Sequence, residues 1–292
     1  MSIVKYVISK AMDDRYKKGL KKAHLQEFIA GFMEEEMRQN GFEVWVNGAW
    51  YRIRNGVISY FGADKHGIHL GVQPIYSDFH YLGECGYGAG MTPDTPHEVY
   101  WELYLALTDY LMYSGTGKQT EMEQQLQQLL TAYWCDYAKP LFDKCTDVDS
   151  MSYALDDSVK NKYQRIQECS EDTDEMIQMK AIPLEILRMR SVRYRSLGES
   201  GFLIECARLN RYEEGIACLN SLIDQTEPID LPERIERYRK HIEILEQRNV
   251  EYLNEEARRI ILRNLEVIRK GWPRDKQHLL PDAEELVDAL RL

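Results

Sequence analysis

Three absences narrow the reading of this chain before any motif is considered. Its six cysteines, at 85, 135, 145, 169, 206 and 218, contain no CxxC pair and no regular framework. That excludes a disulfide scaffold and fits thiols kept in a reducing compartment, so a cytoplasmic location is expected. Long apolar runs are also missing. The opening MSIVKYVISKAMDDRYKK is interrupted by Lys5 and Lys10, and neither a signal-peptide core nor a membrane span is expected. The third absence is basic charge. Residues 1–96 carry 11 Lys plus Arg and 11 Asp plus Glu, and the remainder carries 26 and 37, so the net charge of -11 falls entirely in the later part. Phosphate backbones and anionic lipid would be repelled by such a surface, and neither nucleic acid nor membrane is an expected partner.

What is present is enough for a core: 292 residues, 44% of them hydrophobic, make one large or two ordinary domains. KKAHLQEFIAGFMEEEMRQNGF places Leu25, Phe28, Ile29, Phe32 and Met33 at helical spacing and stops at Asn40-Gly41, a C-terminal signal. In FEVWVNGAWYRIRNGVISYF, Asn47-Gly48 and Asn55-Gly56 each separate short alternating β-formers, which predicts two tight hairpins and a three-strand meander. GIHLGVQP adds a fourth strand. Helical periodicity then runs from about His97 to the C-terminus, through VYWELYLALTDYLMY and TEMEQQLQQLLTAYWCDYAKPLF, the latter interrupted by Pro140. The fold class expected is α+β: an N-terminal helix, an antiparallel meander of three or four strands and helices over 1–150, followed by an acidic all-helical domain over 151–292. The boundary is expected near Thr146–Asp157.

Tight turns fix register, so the faces of the meander follow by counting. Val44 pairs with Tyr51, Trp45 with Trp50, Val46 with Ala49 and Glu43 with Arg52. One face then holds Phe42, Val44, Val46, Tyr51, Ile53, Ile58 and Tyr60 and is expected to pack on the first helix. The other holds Trp45, Trp50, Arg52, Arg54 and Phe61. Exposed, that second face would stack planar groups and pair with carboxylates, the chemistry of interface hot spots; covered by helices, it would be core with Glu43 and Arg52 as a cross-strand pair. These five residues are the candidate binding set.

Glycine-rich stretches offer less. HYLGECGYGAGM at 80–91 spaces its glycines as G-x-x-G-x-G-x-G, not as the G-x-G-x-x-G of a dinucleotide cradle, and reads as a connector between sheet and helix. SGTGKQT at 114–120 has Met112 and Gln119 where a Walker A loop needs glycine and a hydroxyl, and reads as a helix-helix turn. Around the first loop, Cys85, His80 and His97 have the residue types for nucleophilic thiol catalysis or, with Asp78 and Asp94, for zinc. No ligand spacing recurs, so no metal or other cofactor is expected, and the bland alternative is solvated histidines beside a buried cysteine.

The order of helix, NG hairpins, LGVQPIY and a helical pair ending AKPLFDKCTD resembles an uncharacterised family of small bacterial α+β domains over about residues 22–155. The resemblance implies a fold and no activity. Further on, GFLIECARLNRYEEGIACLNSLIDQTEP at 201–228, in a segment near 199–228, resembles a tetratricopeptide-type helical hairpin, with Ala207, Asn210, Tyr212, Gly215, Leu219 and Pro228 near that repeat's small, turn, aromatic and proline positions. It implies helix packing and peptide or protein binding. The expected function is therefore a non-enzymatic interaction protein with a protein or peptide partner; the alternative is a hydrolase or small-molecule enzyme using the Cys/His loop, with zinc as an option. Oligomeric state is not encoded in any of these features.

Overall fold

The computed structural model describes residues 23–46, 48–64, 67–77, 97–113, 116–170, 173, 177, 180–187, 195–226 and 232–292. They form an α+β fold with a four-stranded antiparallel sheet near the N-terminus and mostly helices after it. Helix α1 covers residues 23–39. The sheet follows as β1 (Val44–Val46), β2 (Ala49–Arg54), β3 (Val57–Asp64) and β4 (Gly67–Pro74), in that spatial order. Register in the first hairpin pairs Val44 with Tyr51, Trp45 with Trp50 and Val46 with Ala49, as the turn chemistry requires. At the second turn Asn55 and Gly56 have φ of 47° and 75°, the pair of positive values a two-residue hairpin needs and asparagine-glycine supplies at least cost.

Two compact units divide the chain. One comprises the described residues up to Arg52, Ser59–Gly71 and those on to Asp143; the other comprises Ile53–Ile58, the described part of Val72–Tyr87, and Lys144–Leu292. The sheet contributes residues to both, whereas the sequence reading assigned all of it to the first domain. Hydrogen bonds accompany the difference: Ile75 N–H donates to Gly56 O at 2.8 Å, and the Asn55 side-chain amide donates to Thr146 O at 3.2 Å, all within the second unit.

In the first unit, α1 buries Leu25, Ile29, Met33 and Met37, one face at helical spacing. It ends where Gly41 takes φ 77° and Phe42 N–H returns to Met37 O at 2.9 Å, closing the last turn. Phe28 stacks on Tyr110 of α2 (His97–Tyr113), with ring centroids 5.4 Å apart. Helix α3 (Gln119–Tyr133) packs on α2 and does not stop at Pro140. It widens into a π-helical turn, Trp134–Ala138, where Lys139 N–H reaches back five residues to Trp134 O, and then continues as α4 (Lys139–Lys144). Pro140 has no N–H for the carbonyl four residues before it, and the widened turn carries the chain past its ring.

The second unit is built from α5 (Val148–Glu168), the short α6 (Leu184–Leu187), α7 (Arg195–Arg208, broken at Gly198 with φ 73°), α8 (Tyr212–Thr226), α9 (Pro232–Gln247), α10 (Val250–Gly271) and α11 (Ala283–Leu290). Helix α5 starts at the point read from sequence as a boundary: Asp147 accepts from Ser150 N–H at 2.8 Å while Ser150 Oγ receives Asp147 N–H at 3.1 Å, a reciprocal cap. Helices α7 and α8 form the hairpin expected at 199–228, turning at Asn210 (φ 53°); Pro228 lies outside the described residues. Their core joins Phe202, Leu203, Cys206, Tyr212, Cys218 and Leu219 to Tyr238, Leu245 and Leu253 of α9 and α10.

Candidate functional site

The sheet face proposed from sequence as a binding surface is core. Trp50 and Phe61 are 5% and 0% exposed, and Trp45 is half-buried with its ring 5.5 Å from that of Trp50. Phe61 meets the edge of Trp134 at 5.1 Å and stacks with Tyr133 at 6.5 Å, so the π-helical turn and the end of α3 cover it. Phe42 was assigned to the opposite face, yet it stands just before β1 and packs on Trp134 and Phe142 at 5.9 and 5.0 Å. The indole N–H of Trp134 donates to Glu36 of α1 at 2.9 Å, tying the first helix to the same aromatic cluster.

Arg52 is a brace within that cluster. Its Nη1 donates to Asn40 O at 3.0 Å and its Nη2 to Phe142 O at 3.2 Å, while its guanidinium carbon sits 4.8 Å from the Phe42 ring centre. Both carbonyls belong to helix ends, where backbone acceptors lack intrahelical donors, and one rigid fork satisfies the two. Glu43, expected opposite Arg52, is exposed and outside the paired register. Arg54 is exposed. Of the thiol-loop candidates, Cys85 and His80 lie outside the described residues, and His97 is the first residue of α2. Among the described residues no group of three or more His, Cys, Asp or Glu side chains is arranged to hold a metal.

The concentration of buried charge lies in the second unit instead. Glu205 of α7 is 0% exposed. Its carboxylate accepts from the Tyr76 hydroxyl, from Ser152 Oγ at 2.6 Å, and from Arg208 Nε and Nη2 at 3.1 and 3.0 Å. The Arg208 side chain is 3% exposed; Nη2 also donates to Ser152 Oγ at 2.6 Å and Nη1 to Asp149, whose side chain is 70% exposed. Asp149, Ser152 and Asp156 recur at i, i+3 and i+7 on α5, one face of that helix, and Arg211 continues the pattern by clamping Asp156 at 2.7 and 3.3 Å. Asn264 of α10 holds the Tyr76 segment, donating to Ile75 O and Ser77 O at 2.7 and 2.8 Å. Burial, followed by the Glu205 charge, pushes the Tyr76 hydroxyl well above its ordinary pKa. Burial acts to lower the Arg208 pKa, but the Tyr76 and Glu205 oxygens outweigh it and the net direction is up. Arg208 therefore stays a cation.

Beside this network lies a cleft of about 440 Å³, within the range of small-ligand and peptide sites. Arg208 and Val148 line it from α7 and α5, Asn55 from the hairpin turn, and Leu286 and Leu290 from α11, with Asp149, Glu285 and Arg291 also contributing. Ser152 and Tyr76 are 1% and 0% exposed, so their hydroxyls position Glu205 and do not meet a substrate. Asp147, which caps α5, is held below the usual carboxylate range chiefly by the Ser150 N–H. The arrangement can present fixed charge and apolar wall to a ligand; its hydroxyl–carboxylate contacts, Ser152 and Tyr76 on Glu205, are buried. Sequence reasoning missed it, although one signal was there: ECARLNR sets Glu205, Arg208 and Arg211 three residues apart, directly after the apolar run GFLI.

Among the described residues no helix is long and apolar enough to cross a membrane. The chain matches no protein-family model, no curated protein and no solved structure.

Proposed function

We propose that this chain is a non-enzymatic bacterial interaction protein of the cytoplasm that binds a protein or peptide segment, and that the Arg208 cleft is its recognition surface. The cleft carries the reading. Arg208, 3% exposed and held by Glu205 and Ser152, does not itself reach a partner; it fixes Asp149 and the cleft wall, and a preorganised wall loses little free energy to ordering on association. Apolar wall from Val148, Leu286 and Leu290 beside charges of both signs at Asp149, Glu285 and Arg291 suits a segment that mixes apolar and charged side chains. The α7–α8 hairpin agrees with the tetratricopeptide resemblance. The cytoplasmic placement rests on the spacing of the six cysteines, which contain no CxxC pair and no regular framework.

Selection from a random-peptide display library against the full chain tests the reading. The expected result is enrichment of related sequences whose affinity falls about tenfold or more in the double variant Glu285→Arg with Arg291→Glu, both exposed positions. Enrichment of no sequence family, or of peptides indifferent to that double variant, would overturn the cleft as the recognition surface.

A further inference from the structure

The outer face of α10 gathers cations around an exposed leucine. Arg259, Arg263, Arg269 and Lys270, with Glu266 as the only carboxylate and Leu262 between them, line a shallow depression of about 670 Å³. They fall at i, i+4, i+7, i+10 and i+11, while Ile260, Ile261, Leu265 and Ile268 turn the other way and are buried. Four cations against Glu266 and Glu256, the latter bound to Arg259, give this stripe a net charge of about +2 on a chain whose total is -11. Favourable placement against the helix dipole accounts for Arg269 and Lys270 in the last turn, but not for Arg259 and Arg263, which stand before it. Leu262 is 49% exposed.

We infer that this stripe is a docking surface for an acidic protein segment, one that places carboxylates along α10 and an apolar side chain against Leu262. The inference is independent of the Arg208 cleft. Charge complementarity selects the partner's sign. Length selects its size. From Arg259 to Lys270 the helix rises about 16 Å, the span of about five extended residues. Nucleic acid is a poorer fit, because a longer polyanion would extend over the surrounding negative surface and make no use of the exposed leucine. The Lys270–Glu266 pair, at 2.6 Å, is an exposed contact within the helix that a partner's carboxylate can replace at little cost, whereas Arg259 is held at 2.6 Å by Glu256, 16% exposed, and Arg263 donates to Asn264 Oδ1 at 3.1 Å.

The probe is a fluorescein-labelled peptide of alternating glutamate and leucine, titrated with the full chain and read by anisotropy. Saturable binding is expected at about 50 mM salt, weakening about tenfold or more at about 300 mM. Arg269→Glu with Lys270→Glu should lower affinity at least about tenfold at low salt, and Arg259→Gln with Arg263→Gln should do the same. Lys240→Glu with Arg234→Glu, exposed on α9, should bind as wild type. Absence of binding at low salt, equal loss in the α9 control, retention by both stripe variants, or displacement of the peptide by duplex DNA at lower concentration than by unlabelled peptide would each overturn the inference.

Discussion

At the scale of single residues, two side-chain positions show how local chemistry is overruled by what lies across the fold. Arg52 reads as a surface recognition residue because it alternates with tryptophan on a strand; the structure spends its fork on Asn40 O and Phe142 O over the Phe42 ring. Charged hydrogen bonds of this kind contribute about 1.5 to 3 kcal/mol each, less where water competes. Arg52→Ala is therefore expected to lower unfolding free energy by about 2 to 3 kcal/mol in urea denaturation, and Arg52→Lys to recover less than half, since one ammonium cannot span both carbonyls. A full rescue by lysine would show that charge alone, and not the fork, is what the site uses. Gly215 is the second case. A Cβ there would lie 2.7 Å from Cys206 Sγ and 3.0 Å from Leu245 Cδ1, so α7, α8 and α9 meet at a spot with no room for a methyl group. In an exposed helix Gly→Ala stabilises by about 1 kcal/mol; here overpacking of about 1 to 3 kcal/mol opposes it. Gly215→Ala is expected to destabilise, and a raised midpoint of unfolding would show that the helices separate freely.

Elements divide into those whose cause is local and those whose cause is distant. Asp147 and Ser150 make a cap visible in four consecutive residues, DVDS, and it starts a helix of 21 residues where the sequence suggests a domain boundary. Asp147→Ala should cost about 1 kcal/mol. The pH dependence follows from the direction of its shift: the folded pKa is depressed below the unfolded value by the Ser150 N–H, so the stabilisation is present above the unfolded pKa and lost as pH falls through the folded one. In wild type minus Asp147→Ala, the stability difference should be flat near neutral pH and shrink in acid; a difference that grows on acidification would contradict the cap. The same locality made the sheet's register and the α7–α8 hairpin legible, because Asn-Gly pairs and 3.6-residue periodicity act within a few residues. Which face of the sheet would be covered was not legible. Both faces alternate large apolar groups, and the decision came from Trp134 and Phe142, supplied about ninety residues later by a helix that negotiates a proline. Glu205 was missed for the same reason: a glutamate three residues from an arginine on a helix reads as a solvated pair until α5 brings Asp149 and Ser152 onto it.

Over the whole molecule, two kinds of charge coexist and respond differently to salt. A surface excess giving -11 repels itself, and dissolved ions screen that repulsion over a Debye length of about 8 Å near physiological ionic strength. The Glu205–Arg208 pair, at 1% and 3% side-chain exposure, is out of reach of that screening. Removing one member leaves the other buried without its counter-charge, a loss of about 3 to 5 kcal/mol. Raising salt should therefore increase the wild-type unfolding midpoint, while Glu205→Gln lowers stability by nearly the same amount at low and high salt. The measurement is a pair of denaturation curves at each of two salt concentrations, with Glu284→Gln, an exposed partner of Arg258, as the reference. The reference should cost about 0 to 1 kcal/mol and its cost should fade with added salt. If the decrement from Glu205→Gln fades in parallel, the network is open to solvent, and Arg208 does not hold a fixed position in the wall of the cleft.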